Sequence, residues 1–246
     1  MIAKAASVLA GIVIVCGVAA GLLGFFWTYA AIIGGLVVIM ALFGLWYRTG
    51  WFFERIRRKK LAEFPFDDNQ ARVVMIGSSS FQYWKTAERD LAPIDVLNLG
   101  IGGTVIANWT DFLDNTVVPY GPRGLMIYAG LNDFNTRAKP QAVFARMQAL
   151  LDAIEIKLPG VKVLCLGLCP TIARAANWGD IETFNALLKE AVQAKGFAYV
   201  DSTAVILDAQ GQLQKSLYRF DGMHFNEQGY TTWVKAVKPA VEDLFG

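Results

Sequence analysis

From Ala5 to Tyr47 the chain carries no charged side chain. That run is roughly twice the ~20 residues that one membrane-spanning helix needs, so it is read as two spans rather than one. The aromatic and hydroxyl residues of Gly24-Phe25-Phe26-Trp27-Thr28-Tyr29 suit a bilayer interface and a tight turn. The expected spans are Ala5 to Phe26 and Ala30 to Tyr47, an N-terminal transmembrane helical hairpin over residues 1–47. A rival reading of the same residues is a signal peptide: Lys4, an apolar core, then Val18-Ala19-Ala20 as a small-residue cleavage site.

The flanking cations set an expected topology. Arg48, Arg55, Arg57, Arg58, Lys59 and Lys60 follow the second span with only Glu54 against them, and Lys4 precedes the first. Short basic flanks tend to stay cytoplasmic, which places the C-terminal domain on the cytoplasmic face, with an extracytoplasmic domain as the alternative. Residues 48–70 form a basic juxtamembrane linker, and Phe64-Pro65-Phe66-Asp67-Asp68-Asn69 has linker composition. Trp51, Phe52 and Phe53 beside the charges also allow an interfacial helix. The formal net charge is +2, yet residues 1–60 hold seven of the 23 Lys/Arg and one of the 21 Asp/Glu. The rest of the chain is therefore mildly acidic, so membrane lipids rather than nucleic acid are the expected charged partner.

The three cysteines, Cys16, Cys165 and Cys169, match no zinc or redox spacing and read as buried thiols. With one histidine in 246 residues, a histidine-rich metal site is excluded. No metal and no cofactor is expected.

From Ala71 onward, short β-rich runs alternate with helical periodicity. Strands are expected at Arg72 to Ile76, Ile94 to Leu99, Leu125 to Ala129, Val161 to Gly167 and Phe197 to Val200. Helices are expected at Thr104 to Thr116, Gln141 to Leu158, Ile181 to Lys195 and Glu227 to Leu244. Continuously apolar runs such as Val73 to Ile76 suit parallel strands covered on both faces. Residues 71–246 are thus expected to form one α/β domain, a three-layer α/β/α flavodoxin-like sandwich around a five-stranded parallel sheet.

In such folds ligands bind beyond the carboxyl ends of the strands. The first three strands run into Gly77-Ser78-Ser79-Ser80, then Asn98-Leu99-Gly100-Ile101-Gly102-Gly103-Thr104, then Gly130-Leu131-Asn132-Asp133. Glycines let backbone N–H groups approach a ligand, and an asparagine supplies an amide donor, which is what a developing oxyanion requires. The one histidine, His224, has a carboxylate three residues before it in Asp221-Gly222-Met223-His224. A strand-end serine, a lone histidine and a local aspartate point to a hydrolase, since a serine hydroxyl becomes nucleophilic when a base takes its proton. The loop after the fourth strand could also reach the crevice, which makes Arg174 and Trp178 candidate substrate contacts. Tyr83 and Trp84 read as packing residues.

These four segments resemble the blocks of the SGNH hydrolases, the GDSL-type esterases and lipases, in order and spacing over essentially all of residues 71–246. The resemblance implies Ser79 as nucleophile, His224 as general base and then acid, and Asp221 as the group orienting the imidazole. It implies an oxyanion hole from the N–H groups of Ser79 and Gly103 and the Asn132 amide. The family's Gly-Asp-Ser is Gly77-Ser78-Ser79 here, so Ser79 is assigned by register, with Ser78 and Ser80 as alternatives. The α/β-hydrolase elbow Gly-x-Ser-x-Gly is excluded, because Phe81 stands where its second glycine would be.

The expected function is a membrane-anchored serine esterase that cleaves carboxylic esters through an acyl-enzyme on Ser79. Small-molecule or lipid acyl esters are the expected substrates, with lysophospholipid-like esters favoured by the anchor. The competing reading is a non-catalytic anion-binding or scaffold domain on a flavodoxin-like fold, using the same glycine and serine loops.

Overall fold

The computed structural model describes residues 21, 23–25, 27–29, 31–40, 42, 51–66, 72–136 and 138–246. The chain divides into two compact units, residues 1–55 and 56–246.

Among the described residues of the first unit, one helix is long and apolar enough to cross a membrane, Leu23–Met40, with mean hydropathy 2.0. Leu36, Ile39 and Met40 on it are exposed. The turn expected at Gly24 to Tyr29 is not seen: the described residues of that segment are helical. The Thr28 hydroxyl donates to the Gly24 carbonyl at 2.9 Å, and the Phe25 and Tyr29 rings meet with centroids 4.5 Å apart. Both contacts join residues four apart, the spacing a helix brings together, so these residues support continuation rather than reversal. The rest of the expected first span, with Cys16, lies outside the described residues, as do residues 43–50.

In the second unit, strands Val73–Gly77 (β1), Val96–Asn98 (β2), Gly124–Tyr128 (β3), Lys162–Leu166 (β4) and Ala198–Val200 (β5) form one sheet ordered β2-β1-β3-β4-β5. Every neighbouring pair is parallel. All five residues of β1 and of β3 are buried, so both faces of the sheet centre are covered, which requires the continuous apolar runs seen in the sequence. The helices are Trp51–Glu63 (α1), Ser79–Gln82 (α2), Ala87–Asp90 (α3), Ile106–Phe112 (α4), Pro140–Lys157 (α5), Trp178–Ala194 (α6) and Glu227–Phe245 (α7). The five expected strands are all present.

Two helix boundaries differ from expectation. α4 stops at Phe112 and continues as a π turn, Leu113–Val117, then a 3-10 turn, Val118–Tyr120. Pro119 has no N–H to donate and sits in the first turn of the 3-10 segment, where no N–H is needed, whereas α7 carries Pro239 within its run. α6 begins at Trp178, ahead of the expected Ile181. The expected linker is also partly structured. Residues 61–63 belong to α1, and Arg57 on that helix donates to the Asn115 carbonyl at 3.0 Å and the Thr116 hydroxyl at 3.2 Å. The Tyr120 hydroxyl donates to the Phe64 carbonyl. A guanidinium that finds buried acceptors docks the helix it sits on, and the compact unit accordingly begins at Ile56 rather than at 71.

The strand order places the site. The chain leaves β1 toward β2 on one side and returns to β3 on the other, so the connections diverge at the carboxyl ends of β1 and β3, where a crevice opens. Beneath it lies an aromatic core. Trp233 of α7 packs on Trp84 and Tyr128 with centroids 5.3 and 5.1 Å apart, and its indole N–H donates to the Ser202 hydroxyl at 2.6 Å.

Candidate active site

β1 ends on Gly77 because nothing larger fits: a Cβ there would stand 2.4 Å from the Tyr128 carbonyl of β3. The chain then turns at Ser78, which is buried, and Ser79 opens the short helix α2. The Tyr230 hydroxyl of α7 donates to the Ser80 carbonyl at 2.7 Å and fixes that helix from the other side. Ser79 Oγ lies 2.8 Å from His224 Nε2. Of the three consecutive serines, Ser79 is the one whose hydroxyl meets the imidazole.

His224 is held by its own loop. Asp221 Oδ2 lies 2.7 Å from His224 Nδ1, while Asp221 Oδ1 accepts the backbone N–H groups of Met223 and His224 at 2.9 and 3.0 Å. Gly222 adopts φ +62°, a left-handed conformation that closes this turn without strain. The turn is braced by Arg219 N–H on the His224 carbonyl at 2.8 Å. Burial works against ionisation of Asp221, but the His224 ring and the two backbone N–H groups outweigh it and hold the carboxyl down at about 2. The group is therefore a carboxylate across the neutral range, poised to keep a proton on Nδ1 and leave Nε2 free to accept one.

The other two loops converge on the same crevice. Asn98 Nδ2 donates to the Phe81 carbonyl at 2.7 Å and its Oδ1 accepts from Gly100 N–H at 3.0 Å, joining the glycine loop to α2. Gln82 Oε1 accepts the Gly102 N–H. Ile101 N–H donates to the Gly77 carbonyl at 2.9 Å. Gly103, next in line, has φ +82°. From the third loop, Asn132 Nδ2 donates to the Thr104 carbonyl at 3.0 Å, and Asp133 Oδ2 accepts the Ile106 N–H that opens α4 at 3.0 Å. Burial raises the pKa of Asp133, while Arg146, 2.8 Å from Oδ1, and the Ile106 N–H pull it down. The structure thus gathers Ser79, Gly103, Asn132, Asp221 and His224 from four loops at one sheet edge.

The sequence profile of the GDSL-like Lipase/Acylhydrolase family matches residues 77–232, the interval that holds all four loops. The chain belongs to this family. The family is one of lipases and acylhydrolases. Over 168 residues, 67% of the chain, it is 29% identical to the N-acylneuraminate cytidylyltransferase of Escherichia coli O18:K1:H7 (strain RS218 / NMEC), and it spans 39% of that protein's length. Solved structures with a similar fold include a Bacteroides fragilis NCTC 9343 protein provisionally assigned as an acylhydrolase, 23% identical, covering 78% of this chain and 97% of that one with TM-score 0.65. A carbohydrate esterase family 3 protein from Talaromyces cellulolyticus is 17% identical, covering 72% and 98% with TM-score 0.58.

The remaining expected contacts of this GDSL-like acylhydrolase fall in different places. Arg174 is buried at 6% exposure and donates to the Leu131 carbonyl, to Asn132 Oδ1 at 3.4 Å and to Met223 Sδ at 3.9 Å. Trp178 instead lines a cavity of about 270 Å³ with Pro170, Glu182, Asn185, Tyr199 and Asp201, and no triad residue lines that cavity. Trp84 is buried in the core, with its indole N–H on Asp90 Oδ2 at 2.9 Å. Tyr83, expected as a packing residue, packs on His224: the rings meet edge to face at 4.9 Å, with the Arg219 guanidinium 4.6 Å over the Tyr83 ring. Gln82, Arg146 and Arg219 were not singled out from the sequence, because each acts through a contact between loops that no local pattern announces. Cys165 and Cys169 are buried free thiols, their pKa values pushed up by burial to about 12 and about 11.

Proposed function

We propose that this protein is a membrane-anchored esterase in which Ser79 attacks the carbonyl of a lipid acyl ester. Ser79 Oγ forms the new bond while its proton passes to His224 Nε2, and Asp221 stabilises the resulting imidazolium. The Ser79 and Gly103 N–H groups and the Asn132 amide receive the oxyanion, each donor being worth roughly 2.7–4 kcal/mol of barrier. Collapse of the tetrahedral intermediate breaks the ester C–O bond, and the alcohol leaves with the proton from His224. Water then repeats the sequence on the acyl-enzyme and frees the acid and Ser79.

The observation that carries this reading is the continuous chain Ser79 Oγ to His224 Nε2 to Asp221, at 2.8 and 2.7 Å. An anion-binding domain would need none of these three together. Fluorophosphonate labelling tests it: Ser79→Ala should abolish labelling while Ser78→Ala and Ser80→Ala retain it, and an unlabelled wild type would end the proposal.

The lipid preference rests on the apolar helix Leu23–Met40 and on Phe220, a fully exposed aromatic on the loop that carries Asp221. Tethering raises the effective concentration of bilayer-borne esters. The basic residues from Arg48 to Lys60 favour a cytoplasmic catalytic domain. Protease added to intact cells should leave the domain whole, and digestion would reverse the orientation. Turnover of soluble acetylated sugars well above that of lysophospholipid in vesicles would replace lipid esters with carbohydrate esters as the substrate.

A further inference from the structure

We infer that Arg174 is a positioning residue for oxyanion stabilisation, acting through the side chain of Asn132. Arg174 lies in the 3-10 segment Ile172–Asn177 that follows β4, at a backbone kink with φ −125° and ψ 26°. The neighbouring Ala173 N–H donates to the Gly222 carbonyl at 3.0 Å, which ties this segment to the loop carrying Asp221 and His224. The guanidinium is buried between that loop and the one carrying Asn132.

Its partners are informative by their type. The Leu131 carbonyl, Asn132 Oδ1 and the Met223 thioether are all neutral acceptors. Arg174 Nε is buried with no hydrogen-bond partner among the described residues. An arginine stays protonated in proteins, and a buried cation held by neutral groups alone is costly unless it serves a charge that comes and goes. The tetrahedral oxyanion is such a charge, formed at the amide that Arg174 touches.

The contact also settles which way that amide faces. A guanidinium has donors only, so the end of Asn132 that meets it must be Oδ1. The Thr104 carbonyl accepts only, so the end that meets it must be Nδ2, 3.0 Å away. Nδ2 carries two hydrogens, and with one committed to Thr104 the other is left for the crevice. Without Arg174 the amide could turn over and present an oxygen to the oxyanion, which would repel it.

This inference rests on the serine-esterase reading above, and a mutant cycle separates the two. Full-length wild type, R174M, N132A and R174M/N132A are assayed on p-nitrophenyl acetate, with S79A as the control for that reading and thermal unfolding recorded for each. Removing an oxyanion donor outright lowers kcat by about 10²–10³, so a residue acting through that donor should lower it by about 10–100-fold with KM little changed. The double variant should match N132A to within about threefold, because Arg174 has nothing left to position. R174K, which keeps the charge and one donor direction, should recover part of kcat, and it carries the test if R174M does not fold. Independent, multiplying losses in the double variant would overturn the inference, as would a raised KM at unchanged kcat or an N132A enzyme as fast as wild type. A dead S79A beside a fully active R174M would refute the role of Arg174 alone, whereas an active S79A would refute the esterase reading itself.

Discussion

Replacing Asp221 by Asn should cost catalysis without costing the fold. Asparagine is nearly isosteric, and its Oδ1 can keep the Met223 and His224 N–H bonds that Asp221 Oδ1 now accepts at 2.9 and 3.0 Å. Its Nδ2 would then face His224 Nδ1 across the 2.7 Å contact now made by Oδ2. As a donor, Nδ2 requires Nδ1 to accept, which moves the ring proton to Nε2. Nε2 faces Ser79 Oγ at 2.8 Å and would no longer take its proton. In a serine protease the same change costs about 10⁴ in kcat. Here the carboxylate side chain is 35% exposed and the imidazole 17%, so water competes for the ring and softens the preference. A loss of about 10³ in kcat is expected, equivalent to about 4 kcal/mol of barrier. The assay is kcat on a soluble aryl ester, normalised to the fraction of enzyme that a fluorophosphonate titrates, with the melting temperature measured alongside. A D221N enzyme within tenfold of wild type and equally stable would refute the tautomer argument.

Three further outcomes are expected. Because Asp221 is held at about 2, its depressed pKa adds stability that is complete above about pH 4 and lost as the pH falls through about 2. Between pH 7 and pH 4 Asp221 should therefore contribute no unfolding, and a D221N enzyme whose stability falls less than that of wild type over this window would contradict the assignment. Phe220→Ser should lower turnover of vesicle-borne lysophospholipid by about tenfold, the worth of burying one aromatic side chain, while hydrolysis of a soluble ester stays within twofold; equal losses on both would remove Phe220 from the lipid argument. Trp233→Ala should destabilise the domain by about 3–5 kcal/mol in denaturant unfolding, since Trp233 is fully buried and its loss also leaves the Ser202 hydroxyl without its indole donor.

What could be read from the sequence divides by range of interaction. The parallel sheet was legible because buried strands must be apolar throughout, and Val73 to Ile76 and Leu125 to Tyr128 are. The pairing of Asp221 with His224 was legible because it spans three residues of one turn. The contact of Ser79 with His224 spans 145 residues and came from family resemblance, since no local pattern encodes it. The reach of Arg174 to Asn132 was only half legible: a loop after β4 can approach the crevice, but whether an arginine there points to solvent or inward depends on the kink at its own backbone. Trp178 shows the opposite outcome, a residue of the same loop carried away by the early start of α6. At Gly24 to Tyr29 the aromatics read as an interface turn, yet the same four-residue spacing stacks them along a helix.

The turn from Arg219 to His224 carries both the imidazole and the carboxylate that orients it, braced by its own backbone hydrogen bonds. The base and its orienting carboxylate therefore travel together. If this loop swings away, the Asp221–His224 pair survives intact, while the contacts to Ser79, to the Tyr83 ring, to Ala173 N–H and to Arg174 open. Loop motion would then act as a clutch, disengaging a preassembled proton acceptor from its nucleophile and re-engaging it without any rebuilding of the acceptor itself.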